Sequence, residues 1–141
     1  MITENKLKHI LAVARLMKEN ASAVGLDEEE MFTLGMLHDI GYEFDEKDHH
    51  TAGYELLNKQ GYKYAYEVKY HGLPNAPRMT TELKLLNYAD MHINAKGEYV
   101  SFEARLEDIK SRRGENSPHY QNSKKIIEQL DGFIEDKQNQ K

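Results

Sequence analysis

Apolar residues recur along most of the chain at intervals of three and four positions, the spacing that one face of a helix requires. The pattern is clearest at the start, where residues 4–20 are predicted to form a helix that ends before Gly25. Asp27 is a natural N-cap for a second helix over residues 28–37. The apolar positions of the first helix are Leu7, Ile10, Leu11, Ala14 and Met17, with Val13 and Leu16 widening the face.

The rest of the chain reads as further helices, separated by polar segments or by segments that contain glycine and proline. The predicted loops are residues 41–48 and 71–77, and the predicted helices are one that ends near Gly61, one that begins at Thr80 or Thr81, one near residues 98–111 and one near residues 118–134.

Residues 62–70 fit two kinds of secondary structure, because their apolar side chains suit both a strand and one side of a helix. A single strand among helices would lack a pairing partner, so we predict a helix. The aromatic rings could stack on a nucleobase, but core packing is the favoured interpretation. The residues that alternate with polar positions, as in a half-buried strand, are Tyr62, Tyr64, Tyr66, Val68 and Tyr70.

Length and composition place these helices in one domain. The chain has 141 residues, 39% of them hydrophobic, which is enough to bury one core and leaves little room for a second. We therefore predict an all-α domain over residues 1–134, followed by a polar, disordered tail over residues 135–141. The apolar face of the last helix could either cap the core or pair two chains into a homodimer, and it consists of Ile126, Ile127, Leu130 and Ile134.

Charge and residue usage exclude several classes of protein. The 19 basic and 24 acidic residues give a formal net charge of −5, which argues against a nonspecific binder of nucleic acid or of anionic membranes. No stretch approaches the roughly 20 apolar residues of a membrane span, and the first residues lack a signal-peptide pattern, so we expect a cytoplasmic protein. With no cysteine present, any metal must be held by nitrogen and oxygen atoms.

The candidate chemistry begins with an imidazole and a carboxylate side by side, His38 and Asp39, where an apolar helix ends in Gly-Met-Leu-His-Asp-Ile-Gly. Such a mixture of nitrogen and oxygen donors suits a divalent metal, and the two oxygens of a carboxylate can bridge two ions. A second carboxylate ends the apolar stretch Leu-Leu-Asn-Tyr-Ala-Asp. If it is buried there, it needs a cation or hydrogen-bond donors nearby. The further candidate ligands are His9, His49, His71 and Asp90.

In this order and context, the six residues resemble the binuclear branch of the HD (histidine–aspartate) superfamily of metal-dependent phosphohydrolases. The resemblance covers roughly residues 7–92 and implies a helical core of about five helices, with the last two helices outside it. It implies that His9, His38, Asp39 and Asp90 hold one metal and that His49 and His71 add ligands for a second. Gly53 matches the glycine that commonly follows the His49 ligand, which favours His49 over its neighbour.

Two features of the sequence depart from the patterns found in this superfamily. Tyr42 stands where related enzymes often have a lysine that assists with phosphate. The segment after His71 lacks the Gly-Tyr-Pro motif of the diguanylate-hydrolysing branch. Arg78 and Tyr42 are candidate substrate contacts, whereas Arg112 and Arg113 read as surface charges. The histidines not expected to bind metal are His50, His92 and His119.

The resemblance implies a hydrolase with two divalent ions, from iron, manganese, magnesium or zinc, that activate water for attack on phosphorus. Asp39 and His71 would be its catalytic residues, and a small phosphorylated molecule, a nucleotide or dinucleotide, its substrate. Two alternatives stay open. One is a di-iron oxygenase of the same fold, and the other is a non-catalytic binding module in which metal only stabilises the fold.

Overall fold

Seven α-helices make up most of the part of the chain that the computed structural model describes, residues 2–45 and 47–134. Two short 3₁₀ helices, Ser22–Val24 and Ile40–Glu43, follow the first and second of them. The predicted tail over residues 135–141 lies outside the described residues. The α-helices are α1 (Glu4–Ala21), α2 (Glu28–Leu37), α3 (His49–Lys59), α4 (Ala65–Tyr70), α5 (Thr81–His92), α6 (Phe102–Arg113) and α7 (Pro118–Gln129).

Side-chain caps explain where most of these helices begin. A hydroxyl or carboxylate at the N-cap accepts a hydrogen bond from a free backbone N–H of the first turn. Five helices start in this way, α1, α2, α5, α6 and α7, with the N-caps Thr3, Asp27, Thr80, Ser101 and Ser117.

The prediction of a helix from residue 98 is wrong by four residues. The chain instead makes a tight turn at Gly97, whose φ of 83° is in the left-handed region that favours glycine. Asn94 accepts backbone hydrogen bonds in this turn, and Ile93 then forms an isolated antiparallel bridge with Tyr99. Helix α6 begins after this turn and bridge, with Ser101 as its N-cap.

The core lies among α1, α2 and α5, and α5 is buried along most of its length. Helices α1 and α2 approach closely at Gly35, where a Cβ atom would lie 2.9 Å from the backbone nitrogen of Ala14 and closer still to its Cα. The apolar face of α7 and the residues that follow it cover the core: Ile126 is fully buried, and Leu130 and Ile134 expose 4% and 5%. Of the two roles considered for that face, capping its own core is the one observed.

The all-α prediction is confirmed, with a core of α1 to α5 and two C-terminal helices. The ambiguous segment is helical over Ala65–Tyr70. Among the described residues, no helix has both the length and the apolar character needed to cross a bilayer.

Candidate metal centre

His38 and Asp39 lie where α2 gives way to the following 3₁₀ helix. His38 is the C-cap of α2, and Asp39, with a φ of −108°, leaves the helical path. Both are buried, with exposed fractions of 0% and 4%. Gly41 then passes so close to the carbonyl oxygen of His49 that any side chain there would collide with it. This contact fixes the start of α3 against the His-Asp pair.

Three imidazoles are oriented by main-chain carbonyl groups. In each ring Nδ1 donates a hydrogen bond to the carbonyl oxygen, so Nε2 faces the centre of the cluster and is the atom that a metal ion would bind. The pairs are His9 with the Asn94 carbonyl at 2.9 Å, His38 with the Gly35 carbonyl at 2.6 Å, and His71 with the Val68 carbonyl at 2.6 Å.

Asp39 stands between two groups of histidines. Its Oδ1 lies 3.2 Å from Nε2 of His71 and 3.8 Å from Nε2 of His49. Its Oδ2 lies 3.2 Å from Nε2 of His38 and 3.8 Å from Nε2 of His9. Each oxygen therefore faces a different pair of imidazoles, which is the arrangement that a carboxylate shared by two cations would need.

Asp90, in the last turn of α5, lies beside the pair formed by His9 and His38. Its Oδ1 lies 2.8 Å from Nε2 of His9 and 3.5 Å from Nε2 of His38. The His38 Nε2 is buried and close to both carboxylates, yet neither contact has the geometry of a hydrogen bond. A buried nitrogen without a hydrogen bond, beside two carboxylates, suits a cation. These residues therefore fit a divalent metal.

The groups of side chains close enough to share one ion overlap. Within each group one donor atom per residue lies within 4.8 Å of the others. The groups are His9–His38–Asp39, His38–His71–Asp90 and His49–His50–His71. The structure thus brings all six predicted ligands together and adds His50.

The charges of the cluster's side chains also favour a bound cation. Burial alone would lower the pKa of His38, but the carboxylates of Asp39 and Asp90 outweigh it and raise that pKa to about 10. Burial would raise the pKa of both carboxyl groups, but the neighbouring imidazoles hold each well below its usual value. The buried carboxylate of Asp39 and the largely buried one of Asp90 thus demand positive charge, which a proton or a metal ion can supply.

The role of His50 was not anticipated from the sequence. Its Nε2 donates to the His71 carbonyl at 2.8 Å, so it supports the segment that carries a predicted ligand. Its ring also lies 4.0 Å from that of His49 and 4.5 Å from that of His71. The only signal in the sequence was its adjacency to His49, because both lie in the first turn of α3.

We expect the metal-free protein to lose stability as the pH falls from about 6.5 towards 4. Burial and the neighbouring imidazoles lower the pKa of His49 to about 3 and that of His50 to about 4, from 6.5. The unfolded chain therefore binds protons in this range before the folded chain does, which favours unfolding. Thermal unfolding of EDTA-treated protein should show the loss, and it should be smaller in a His49→Gln, His50→Gln double variant. An equal loss in both proteins would contradict this assignment.

Lys6 is a second residue that the sequence did not reveal. Its Nζ lies 3.3 Å from Oδ2 of Asp39 and 4.0 Å from the centre of the Tyr42 ring. Tyr42 in turn stacks on His49 at 4.0 Å. Lys6 precedes His9 by three residues, so both lie on one face of α1. Tyr42 stands where related enzymes often have a lysine, but the ammonium group of Lys6 lies beside the Tyr42 ring.

Two other residues considered in the sequence analysis, Arg78 and His92, lie outside the histidine cluster. The Arg78 guanidinium is 4.6 Å from the centre of the Tyr66 ring, and no described contact joins it to the histidine cluster. Its predicted contact with substrate stays a prediction. His92 donates to the Val100 carbonyl at 2.7 Å and stacks on Phe102, away from the cluster.

A comparison with protein families assigns the class of this domain. The family model described as HD domain matches residues 7–95, which contain all six predicted ligands, most of α1 and all of α2 to α5. The chain belongs to the HD domain family, as its sequence predicted. HD domains bind divalent metals and are typical of metal-dependent hydrolases. No curated protein and no solved structure gives a significant match.

Proposed function

We propose that this protein is a metal-dependent phosphohydrolase that acts on a small phosphorylated molecule, a nucleotide or dinucleotide. The observation that carries the proposal is the convergence of imidazole Nε2 atoms on the two oxygens of Asp39. Four of the donor residues, His9, His38, Asp39 and Asp90, would hold one divalent ion. His49 and His71 would hold a second, with Asp39 shared between the two.

Divalent ions held here would polarise a phosphoryl oxygen and lower the pKa of a bound water. The protein's own part is to aim the donor atoms before substrate arrives. Backbone carbonyls fix His9, His38 and His71, and the burial of Asp39 excludes bulk water from its oxygens. Such preorganisation means that little rearrangement is needed as charge develops on phosphorus.

The test is an assay of phosphate and nucleotide release across a panel of nucleotides and dinucleotides, with manganese, iron and magnesium supplied separately. Metal content is measured on the same samples. We expect release that depends on metal and is absent from the Asp39→Ala variant. Metal binding without release from any compound would contradict the proposal. In that case oxygen uptake would test the di-iron oxygenase, and a closed, non-catalytic site would be the other outcome.

Lys6 offers a second test of the same site. Its ammonium, on a side chain 26% exposed, lies at the edge of the cluster, where it can meet a phosphoryl oxygen. We expect Lys6→Met to lower kcat/KM by roughly 10- to 100-fold, the cost of losing one electrostatic contact to the transition state, with metal content unchanged. Lys8→Met is the matched control, because that lysine is on the same helix and is 59% exposed. An effect of equal size in both variants would assign Lys6 no special role.

A further inference from the structure

His50 lies in the first turn of α3, beside the predicted ligand His49, and its ring also packs against that of His71. One donor nitrogen of each of these three histidines lies within 4.8 Å of the other two, close enough to share one ion. His49 and His71 are also the rings that face Oδ1 of Asp39. His50 therefore lies beside the place proposed for the second ion.

Two side chains hold the peptide group that joins His71 to Gly72. Nε2 of His50 donates to the carbonyl oxygen of this peptide group at 2.8 Å, and Oδ1 of Asn87 accepts from its N–H at 2.8 Å. Asn87 is only 1% exposed and comes from α5, the helix of Asp90. The ring of His50 is thus held against a segment that is itself anchored to the core.

This hydrogen bond leaves the other nitrogen of His50 available. A neutral imidazole has a single N–H, so when Nε2 donates it, Nδ1 carries the lone pair. Among the residues that the structure describes, no hydrogen bond reaches Nδ1 of His50. His9, His38 and His71 divide their nitrogens in a similar way, with one on a main-chain carbonyl and the other facing the cluster. Such anchoring through one nitrogen is usual for histidines that bind metal.

We propose that His50 is a ligand of the second metal ion through Nδ1, although the sequence favoured its neighbour alone. Four side chains are proposed for the first ion, whereas only Asp39, His49 and His71 are proposed for the second, and His50 supplies a fourth. Three imidazoles and one carboxylate suit iron or zinc better than magnesium. The inference rests on the two-ion centre of the proposed function, but not on hydrolysis.

The experiment begins with calorimetric titration of EDTA-treated protein with cobalt(II), which stands in for iron or zinc. We expect the wild type to bind two ions per chain and His50→Gln to weaken the second by at least roughly 10- to 100-fold, the loss known for an outer partner of a ligand. The glutamine amide can still donate to the His71 carbonyl, so this variant removes the proposed ligand and keeps the support.

The matched control is His119→Gln, which should bind both ions as the wild type does. The side chain of His119, on α7, makes no hydrogen bond, ion pair or ring contact with the cluster in residues 2–45 and 47–134. Circular dichroism checks that each variant is folded. If His50→Gln does not fold, His50→Asn takes its place.

Proton NMR at saturating cobalt(II) distinguishes a ligand from a supporting side chain. Protons on an imidazole bonded to cobalt(II) resonate far outside the normal range because they carry unpaired spin density. The N–H of His50 is held by the His71 carbonyl at 2.8 Å, which slows its exchange with water. We expect one shifted, exchangeable N–H resonance of the wild type to be absent from His50→Gln and present in His119→Gln.

The outcomes separate this inference from the proposed function. A wild type that binds one ion, equal affinities of wild type and His50→Gln, or the same shifted N–H resonances in both would overturn the assignment of His50, even if the protein is a hydrolase. Loss of the resonance and of the second ion's affinity would support it. If such a protein released nothing from the nucleotide panel, the proposed function would fail while the ligand assignment stood.

Discussion

Replacing Asp39 by alanine is expected to abolish hydrolysis and leave the helical domain folded. The two oxygens of Asp39 face different groups of histidines, at 3.2 Å from His38 and 3.2 Å from His71. Losing an outer partner of a metal ligand already costs about 10- to 100-fold in affinity or activity, and losing a shared ligand should cost more. The metal-free fold should survive because Asp90 still faces the rings of His9 and His38, and an imidazole that loses its carboxylate partner can release its proton and become neutral.

Three measurements on one preparation check this prediction. Turnover should fall to background, metal content should fall from that of the wild type, and the circular dichroism spectrum should be unchanged. Asp131→Ala, at an exposed position after α7, is the matched control and should behave as wild type. Wild-type turnover in the Asp39 variant would refute the mechanism. An unfolded variant would show instead that the carboxylate is required for the fold.

The largest effect on stability is expected from Gly35→Ala. The added Cβ would lie 2.9 Å from the Ala14 nitrogen and closer still to its Cα, and both are backbone atoms that side-chain motion cannot move. Helices α1 and α2 would have to separate, at a cost of about 1–3 kcal/mol or more. This should outweigh the gain of about 1 kcal/mol that alanine brings over glycine inside a helix.

Thermal and denaturant unfolding would measure the loss. A second change, Ala14→Gly, should not restore stability, because the closest atoms belong to the backbone of residue 14. Ser111→Ala, an exposed substitution on α6, is the control for helix propensity. Since α1 carries His9 and α2 ends at His38, the metal affinity of the Gly35 variant should fall as well. A variant as stable as wild type would mean that the two helices can separate at little cost.

Features encoded in neighbouring residues were predictable from the sequence. N-caps such as Asp27 and Thr80 mark helix starts by local hydrogen bonds, and the helices begin close to where those residues predict. The helix near residue 98 was misplaced because the Asn94–Gly97 turn and the bridge that follows depend on side-chain and cross-chain contacts. The spacing of apolar residues carries no information about such contacts.

The candidate site likewise combines residues that the sequence predicted with a residue that it did not reveal. The resemblance of the ordered set of six candidate ligands to a known family predicted a shared centre, and the structure brings these side chains close together. Lys6 gave no such signal, because a lysine on a helix is usually a solvated charge. Its significance lies in its distance from Asp39, which arises only when α1 meets the end of α2.

The carbonyl groups that orient the rings of His9, His38 and His71 belong to the main chain, so no substitution can delete these acceptors. The aim of the imidazoles depends on the path of the backbone at residues 35, 68 and 94, and less on which side chains those positions carry. Residues around the pocket are therefore free to diverge without loss of the metal geometry. A scaffold of this kind can acquire new substrates by mutation of its walls and its C-terminal helices while the same reactive centre is inherited unchanged.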